Sequence, residues 1–445
     1  MSAHDSPQGE QRGEPPRPQP AEPTASGLRR GLDRLAPHFA PGGRLAKLHP
    51  LWEATDTFLY TPPTVTTGGA HVRDAMDLKR MMMWVVIAAL PCIAMALYNT
   101  GLQANLAIDP AKAASLEGWR HALMRALGVG YAADSILANL LHGALYFVPL
   151  YVVTMAVGGF WEVLFAMVRR HEVNEGFLVT GLLFPLILPP TTPLWQAALG
   201  ISFGVVLAKE VFGGTGMNFI NPALAARAFL FFAYPAAISG DRVWAAVAPG
   251  TAVDGYSGAT LLAQLRTLER PFAEAGWSWW NAFIGLEPGS MGETSALACL
   301  IGAIVLVVTG VGAWRTMVAV ALGTVAMSLV FNAIGSATNP WFGVPFWWHM
   351  VLGGWAFATA FMVTDPVTSP FTATAKWWWG ITAGALMVLI RVVNPAYPES
   401  VMLVVLFMNV MAPLYDHGVV RANIRRRAQR LRQPGEGAPA GGRDG

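Results

Sequence analysis

The sequence predicts an all-α polytopic membrane protein, with about ten transmembrane helices in two inverted five-helix repeats that contain broken half-helices. Three observations carry that expectation. Of the 445 residues 54% are hydrophobic and only 13% charged, and the mean hydropathy is positive, a balance ordinary soluble domains of this length do not show. Apolar stretches long enough to enter hydrocarbon follow one another from residue 82 to residue 415. Proline-rich breaks then recur at matched places in the two halves of that run.

Residues 1–27 are rich in Pro, Gly, Gln, Glu and Arg and have little to bury, so they form a disordered tail. They lack an apolar core ahead of a small-residue cleavage site, so no signal peptide is expected and the N-terminus stays in the cytoplasm. Residues 28–80 form a basic cytoplasmic segment. Within it Leu28, Leu32, Leu35, Leu45, Leu48, Leu51 and Trp52 lie among Arg29, Arg30, Arg34, Arg44 and Lys47, compatible with the membrane surface, a partner or a solvated linker. The first repeat covers 81–238, with apolar stretches at 82–98, 139–168, 177–190, 194–209 and 222–238. The second covers 295–416, with stretches at 295–310, 315–335, 344–363, 377–391 and 399–415. Between them lies a long loop, 239–294, and residues 417–445 form a second basic tail.

Charges in the short loops orient this array. With a cytoplasmic N-terminus, Arg169, Arg170, Lys209, Arg315, Lys376 and the Arg421–Arg432 cluster all fall on the cytoplasmic side, as the positive-inside rule asks. Both termini are then cytoplasmic, and the 99–138 and 239–294 loops are periplasmic. Leu188-Pro189-Pro190-Thr191-Thr192-Pro193 stops the third stretch, and Thr364-Asp365-Pro366-Val367-Thr368-Ser369-Pro370 stops the eighth. Asn221-Pro222-Ala223 opens the fifth, and Asn394-Pro395-Ala396 precedes the tenth. Five spans per half is an odd number, so matched halves must lie upside down relative to one another. Ordinary proline kinks packed among neighbours are the alternative.

The small net charge of +3 and the confinement of basic residues to ends and loops leave no patch for nucleic acid. Cys92 and Cys299 both sit in apolar runs, which excludes an iron–sulfur centre ligated by this chain's cysteines alone and points to buried free thiols. No nucleotide-binding glycine loop is present in the sequence. Arg227, inside the fifth stretch, needs a partner acid or backbone carbonyls.

The periplasmic loop contains Asp254-Gly255-Tyr256-Ser257-Gly258-Ala259-Thr260, followed by Leu261, Leu262, Leu265 and Leu268 at helical spacing. Thr260 therefore stands at a helix start. A phosphate esterified to its hydroxyl would meet unpaired N–H groups and the positive end of the helix dipole. Gly255, Gly258 and Ala259 leave the backbone bare for a modifying enzyme, and Asp254 offers a carboxylate. A plain helix cap satisfies the same spacing.

The Asp-x-x-Ser-Gly-Ala-Thr pattern resembles the signature read by the periplasmic flavin transferase, which joins FMN through its phosphate to the final Thr. Further runs, His171-Glu172-Val173-Asn174-Glu175-Gly176-Phe177, Lys209-Glu210-Val211-Phe212-Gly213-Gly214-Thr215-Gly216-Met217-Asn218 and Asn221 through Pro235, resemble the B subunits of sodium-translocating NADH:quinone oxidoreductases. The likeness covers roughly residues 45–430. It implies a component of a six-subunit respiratory complex in the bacterial inner membrane. Such a component takes electrons from FMN on the neighbouring C subunit and passes them through its own FMN and a riboflavin to ubiquinone, coupled to sodium translocation.

By this resemblance Thr260 is the FMN-bearing residue, within the motif residues Asp254, Ser257, Gly258 and Ala259. The quinone pocket lies near Gly158-Gly159, followed by Phe160 and Trp161. A glycine pair there admits either a flat head group or a neighbouring helix. Riboflavin falls near the Gly213–Asn221 turn, with Asn218 and Asn221 offering amides. Glu162, Asp365 and Asp416 match membrane acids linked to sodium transit; carboxylates suit a hard cation, and helix capping or pairing with Arg169, Lys376 or Arg421 is the alternative for each. Two other readings are the D subunit of the related Rnf complex, which couples ferredoxin and NAD, and a secondary transporter with the same inverted architecture.

Overall fold

Hydrocarbon offers no hydrogen bonds, so backbone that crosses it must satisfy itself, and helices do so segment by segment. The computed structural model describes residues 27–40, 42–60, 76–169, 173, 176–247, 250–254, 256–268, 271–394 and 397–432, and each predicted apolar stretch contains helix. The bundle helices run α1 (Leu78–Ala107), α2 (Ile136–Arg169), α3 (Gly176–Leu186), α4 (Leu194–Ala208) and α5 (Pro222–Ala233). A short loop helix, α6 (Leu261–Arg266), precedes α7 (Ala296–Val308), α8 (Trp314–Ile334), α9 (Phe346–Val351), α10 (Ala373–Val393) and α11 (Val401–Arg432).

Among the described residues six helices are long and apolar enough to cross a membrane: α1, α2, α4 with the turn that extends it to Phe212, α8, α10 and α11. Their outward faces are apolar, as Leu90, Val152, Leu329 and Phe407 illustrate. Ten spans were expected, several of them short or broken by Pro or Gly, and the remaining stretches are of that kind. Helices α3, α5 and α7 have 11, 12 and 13 residues, about 16–20 Å at 1.5 Å per residue, against a hydrocarbon core of about 30 Å. The 222–238 stretch ends early because Pro235 cannot donate to the helix, and a separate turn, Pro235–Ile238, follows. The 344–363 stretch is interrupted after Val351 and resumes at Trp355 through a π-helical turn, Ala358–Met362.

These interruptions leave carbonyls that the chain satisfies at a distance. The N–H of Gly292 donates to Leu186 O at 2.7 Å and that of Met291 to Leu188 O at 3.1 Å, so the 287–294 segment closes the end of α3. Arg391 of α10 donates to His349 O at 2.7 Å and Leu352 O at 2.9 Å, closing the end of α9. Proline stops therefore appear where predicted. The Asn394-Pro395-Ala396 signal lies partly outside the described residues.

Glycines set how closely helices approach. A Cβ on Gly143 of α2 would collide with the carbonyl of Leu97 of α1, and one on Gly384 of α10 with that of Val320 of α8. Each pair meets backbone to backbone, the small-residue packing that replaces a hydrophobic drive inside lipid. Cys92 and Cys299 are free and buried, their sulfurs 3.8 Å apart between α1 and α7. At the N-terminal side, helices Gly27–Phe39 and His49–Leu59 fold on one another through Arg29 and Asp56, 2.7 Å apart, and the second rests against α2.

Candidate functional site

Successive helices alternate in direction, so the chain's breaks gather at two opposite ends of the bundle, each with a cavity. The first end collects Thr260, the 287–294 segment, the break after α9 and the start of α11. Thr260 is the N-cap of α6: its backbone is extended and its Oγ1 accepts from Ala263 N at 3.2 Å. Leu262 and Leu265 bury the opposite face of α6 against Trp341, Trp348 and Leu352. The hydroxyl is thus fixed at the margin of two adjoining cavities. An ester oxygen retains the lone pair that caps the helix, so capping and attachment are compatible at this residue.

The rest of the motif is arranged differently from the expected bare loop. Asp254 and Ser257 are exposed, but Gly258 and Ala259 are buried. A Cβ at Gly258 would stand 2.6 Å from the carbonyl of Asp241, so close packing accounts for that glycine. Gly255 lies outside the described residues. The outer cavity beside Thr260 is walled by Trp244, Ser257, Gln264, Arg266 and Tyr397, with Asp241 and Glu399 also on its wall.

Beneath Thr260 lies a cluster of charges that sequence reasoning had only half anticipated. Arg227 of α5 donates through NH1 to both oxygens of Glu293 at 3.0 and 3.2 Å, and through NH2 to Ser290 Oγ and Glu399 Oε2, each at 3.2 Å. Arg227 does satisfy partner acids, as predicted. Glu293 and Glu399 carried no sequence signal, because one stands in a long loop, the other in a short one, and only folding brings them to α5. Gly354 makes room for this network: a Cβ there would meet Glu293 Oε1 at 2.5 Å. Glu287 lines the same cavity, and burial holds its carboxyl well above the usual carboxylate range.

The second cavity, at the opposite end, gathers Asn218, Asn221, Asp365 and Lys209 with Thr215 and Thr364. Asn221 caps α5 by accepting from Leu224 N at 3.1 Å, and its Nδ2 donates to Asp365 Oδ2 at 3.3 Å. Its amide is therefore engaged at both atoms. Asn218 donates to Ile220 O at 3.1 Å. The two asparagines assigned to riboflavin and one acid assigned to sodium thus share one cavity.

The remaining predicted residues fall elsewhere. Glu162 of α2 is ion-paired with Lys209, both buried, whereas Arg169 reaches Glu210 at 3.7 Å. Asp416 of α11 accepts from Phe371 N, Thr372 N and Thr372 Oγ1 at 2.7–2.9 Å; it holds Thr372, the N-cap of α10, and lies apart from the second cavity. Gly158 is buried, and a Cβ on it would collide with the Phe177 ring of α3, whereas one on Gly159 would have only Phe177 Cε1, at 3.8 Å. Phe160 points outward and is 59% exposed. Trp161 packs edge-on against it and donates to Ser202 Oγ of α4 at 2.9 Å. The glycine pair is therefore divided between helix packing at Gly158 and an open outer face at Gly159 and Phe160. Of the His171–Phe177 run, His171, Glu172, Asn174 and Glu175 lie outside the described residues, as does Arg170.

Comparison with known proteins matches this architecture to one group. Residues 65–425 fit the model of the NQR2, RnfD, RnfE family. The chain is similar to a Chromohalobacter salexigens protein named as the B subunit of Na(+)-translocating NADH-quinone reductase, 54% identical over 404 residues, which is 91% of this chain and 97% of the relative. Proteins of the same name from Stutzerimonas stutzeri and Pseudomonas aeruginosa are 55% and 56% identical over 408 residues, 91% of this chain and 99% of each relative. A single model over most of the chain, together with 54–56% identity to these relatives across 91% of it, shows that this chain belongs to the NQR2, RnfD, RnfE family.

Proposed function

We propose that this chain is the B subunit of a sodium-translocating NADH:quinone oxidoreductase, and that it carries FMN esterified through phosphate to Thr260 and passes electrons by way of a riboflavin to ubiquinone. The observation that carries the reading is the placement of Thr260: a hydroxyl fixed at a helix start, at the margin of two cavities, in a chain more than half identical to the relatives of that name. The wall fits the group. Arg266 supplies a cation for a phosphate, and Trp244 and Tyr397 supply flat surfaces for a ring system. When bound, FMN supplies one- and two-electron chemistry that no side chain has. This chain's part is to hold it at a defined depth, with the Arg227–Glu293–Glu399 network keeping that wall rigid.

Riboflavin is assigned to the second cavity, where Asn218 is the freer amide and Asn221 the cap that shapes the wall. Ubiquinone is assigned to the outer face formed by Gly159, Phe160 and Trp161, with Gly158 setting the neighbouring helix. Glu162 and Asp365, at or beside the second cavity, are assigned to sodium transit; the full set of donors on Asp416 supports a role in bracing the Thr372 cap in place of the expected ionic one. The inverted five-plus-five arrangement, the inner membrane with both termini cytoplasmic, the C subunit as electron donor and a flavin transferase as modifying enzyme complete the reading. The Rnf alternative is disfavoured by the names of the relatives that match this chain almost end to end.

In-gel fluorescence after denaturation tests it. A yellow-green band that survives detergent and vanishes in Thr260→Ala is expected. A wild-type chain without that band refutes the attachment.

A further inference from the structure

Between α10 and α11 runs a groove that the redox assignments do not use. Trp378 and Thr382 of α10 form one wall, Phe407, Met411 and Leu414 of α11 the other, and the groove continues past Gly418 to Ala422. Trp378, Phe407 and Leu414 are all exposed. The two hydroxyls at mid-groove are engaged internally: Tyr415 Oη donates to Thr382 Oγ1 at 2.9 Å, which donates in turn to Trp378 O at 2.9 Å. The surface that remains there is apolar and suits an apolar guest.

The two ends of the groove indicate which guest. Toward the start of α11 the same face is closed by the chain itself, since Val401 and Val404 are buried. From Phe407 to Tyr415 the open stretch rises about 12 Å at 1.5 Å per residue, roughly one leaflet of a hydrocarbon core about 30 Å thick. A partner's membrane-spanning helix needs a seat through both leaflets, whereas an acyl chain needs only one. At the other end Arg425 and Arg426 lie one turn beyond Ala422, on the face that carries Leu414, Gly418 and Ala422. They belong to a run, Arg421, Arg425, Arg426, Arg427 and Arg430, in which every side chain is exposed and none has an ion-pair partner among the described residues. No acid follows Asp416 as far as Arg432, and Asp416 itself is taken up by Phe371 and Thr372. Guanidinium groups match phosphate geometry, and basic clusters where helices leave the bilayer attract anionic headgroups.

We propose that the α10–α11 groove binds an anionic phospholipid of the surrounding bilayer, with one acyl chain along Phe407, Leu414 and Gly418 and the headgroup phosphate held by Arg425 and Arg426. Charge selects the lipid, and the groove fixes its place. Gly418 admits the chain, because a Cβ there would meet no atom within 4 Å. The site depends neither on a flavin at Thr260 nor on a quinone at Phe160.

The test uses the purified complex in detergent micelles doped with phosphatidylglycerol or phosphatidylcholine, each carrying a photoactivatable diazirine on an acyl chain. Labelled residues are mapped by mass spectrometry. Phosphatidylglycerol is expected to label the Phe407–Gly418 stretch at a half-saturating mole fraction about tenfold or more below that of phosphatidylcholine. Each arginine at an anionic surface is worth about fivefold in affinity. Arg425→Gln/Arg426→Gln should therefore raise the phosphatidylglycerol value about twenty-five-fold, while Arg425→Lys/Arg426→Lys should largely keep it. Gly418→Leu fills the groove without touching the fold and should cut labelling by both lipids to about half or less. Equal labelling by the two lipids, or labelling indifferent to the glutamine pair or to Gly418→Leu, overturns the proposal. A benzophenone side chain placed at position 378 shows what covers the groove: capture of phospholipid supports the site, and capture of another subunit overturns it. If the variants fail to assemble, the wild type decides by salt. Raising it from about 0.1 M to about 1 M shortens the screening length from about 10 Å to about 3 Å, so the preference for phosphatidylglycerol should collapse, and a preference that persists overturns the assignment to Arg425 and Arg426.

Discussion

Replacing Arg227 by Leu removes the cation from between two carboxylates while roughly preserving volume. Glu293 is 9% exposed and loses both of its bonds to NH1; Glu399, 24% exposed, loses its one bond to NH2. Breaking a buried pair by deleting one partner costs about 3–5 kcal/mol, because the remaining charge has lost both water and counter-ion. The whole set is nearly replaceable on the same grounds, since apolar groups of similar shape need no solvation. Arg227→Leu should therefore destabilise the chain by about 3–5 kcal/mol, and adding Glu293→Gln and Glu399→Gln should restore half or more of it. Denaturant unfolding of the purified complex in detergent, read by tryptophan fluorescence, gives both numbers. A loss below about 1 kcal/mol for Arg227→Leu, the level of an exposed pair, would mean that water reaches the network freely. A triple variant no more stable than the single one would mean that Arg227 acts by filling space.

Three further outcomes follow from particular contacts. Gly158→Ala should destabilise by about 1–3 kcal/mol through its collision with Phe177, while Gly159→Ala should leave unfolding unchanged; slowed quinone reduction in Gly159→Ala at wild-type stability would mark that outer face as a binding surface, and equal melting of the two variants would refute the packing difference. Thr260→Ser should keep both the cap and the fluorescent band, whereas Thr260→Ala should lose the band and about 1 kcal/mol of local stability, read by hydrogen exchange over residues 261–266. His121 titrates below its ordinary value of 6.5, first through burial and then through Arg125 and Arg120. The unfolded chain therefore binds that proton more readily, so this contribution to stability is present above 6.5 and is lost as pH falls through the folded value. His121→Gln should flatten the acid limb of the stability profile, and an identical limb would exclude the residue.

How much of this was legible in sequence varies with the range of the interaction. The apolar stretches and the proline stops survive because both are local: composition decides whether a segment enters lipid, and a missing N–H ends a helix wherever it falls. Thr260 as a helix start was legible for the same reason, from the leucine spacing behind it. The lengths of α3, α5 and α7 were not, because a short apolar helix and half of a long one look alike until neighbours show which carbonyls they satisfy.

The sequence by itself determined that the chain is a helical membrane protein, where prolines stop several of its helices, and that Thr260 stands at a helix start. Only the tertiary structure decided what the breaks are for. Gly292 meets Leu186, Arg391 meets the end of α9, Asn221 meets Asp365, and Arg227 meets acids 66 and 172 residues away. None of these has a sequence period, since each is a long-range answer to a polar group that lipid leaves unsatisfied. Glu287 is the limiting case: in the sequence it is one acid in a loop, and only folding buries it on a cavity wall beside charges that already have partners.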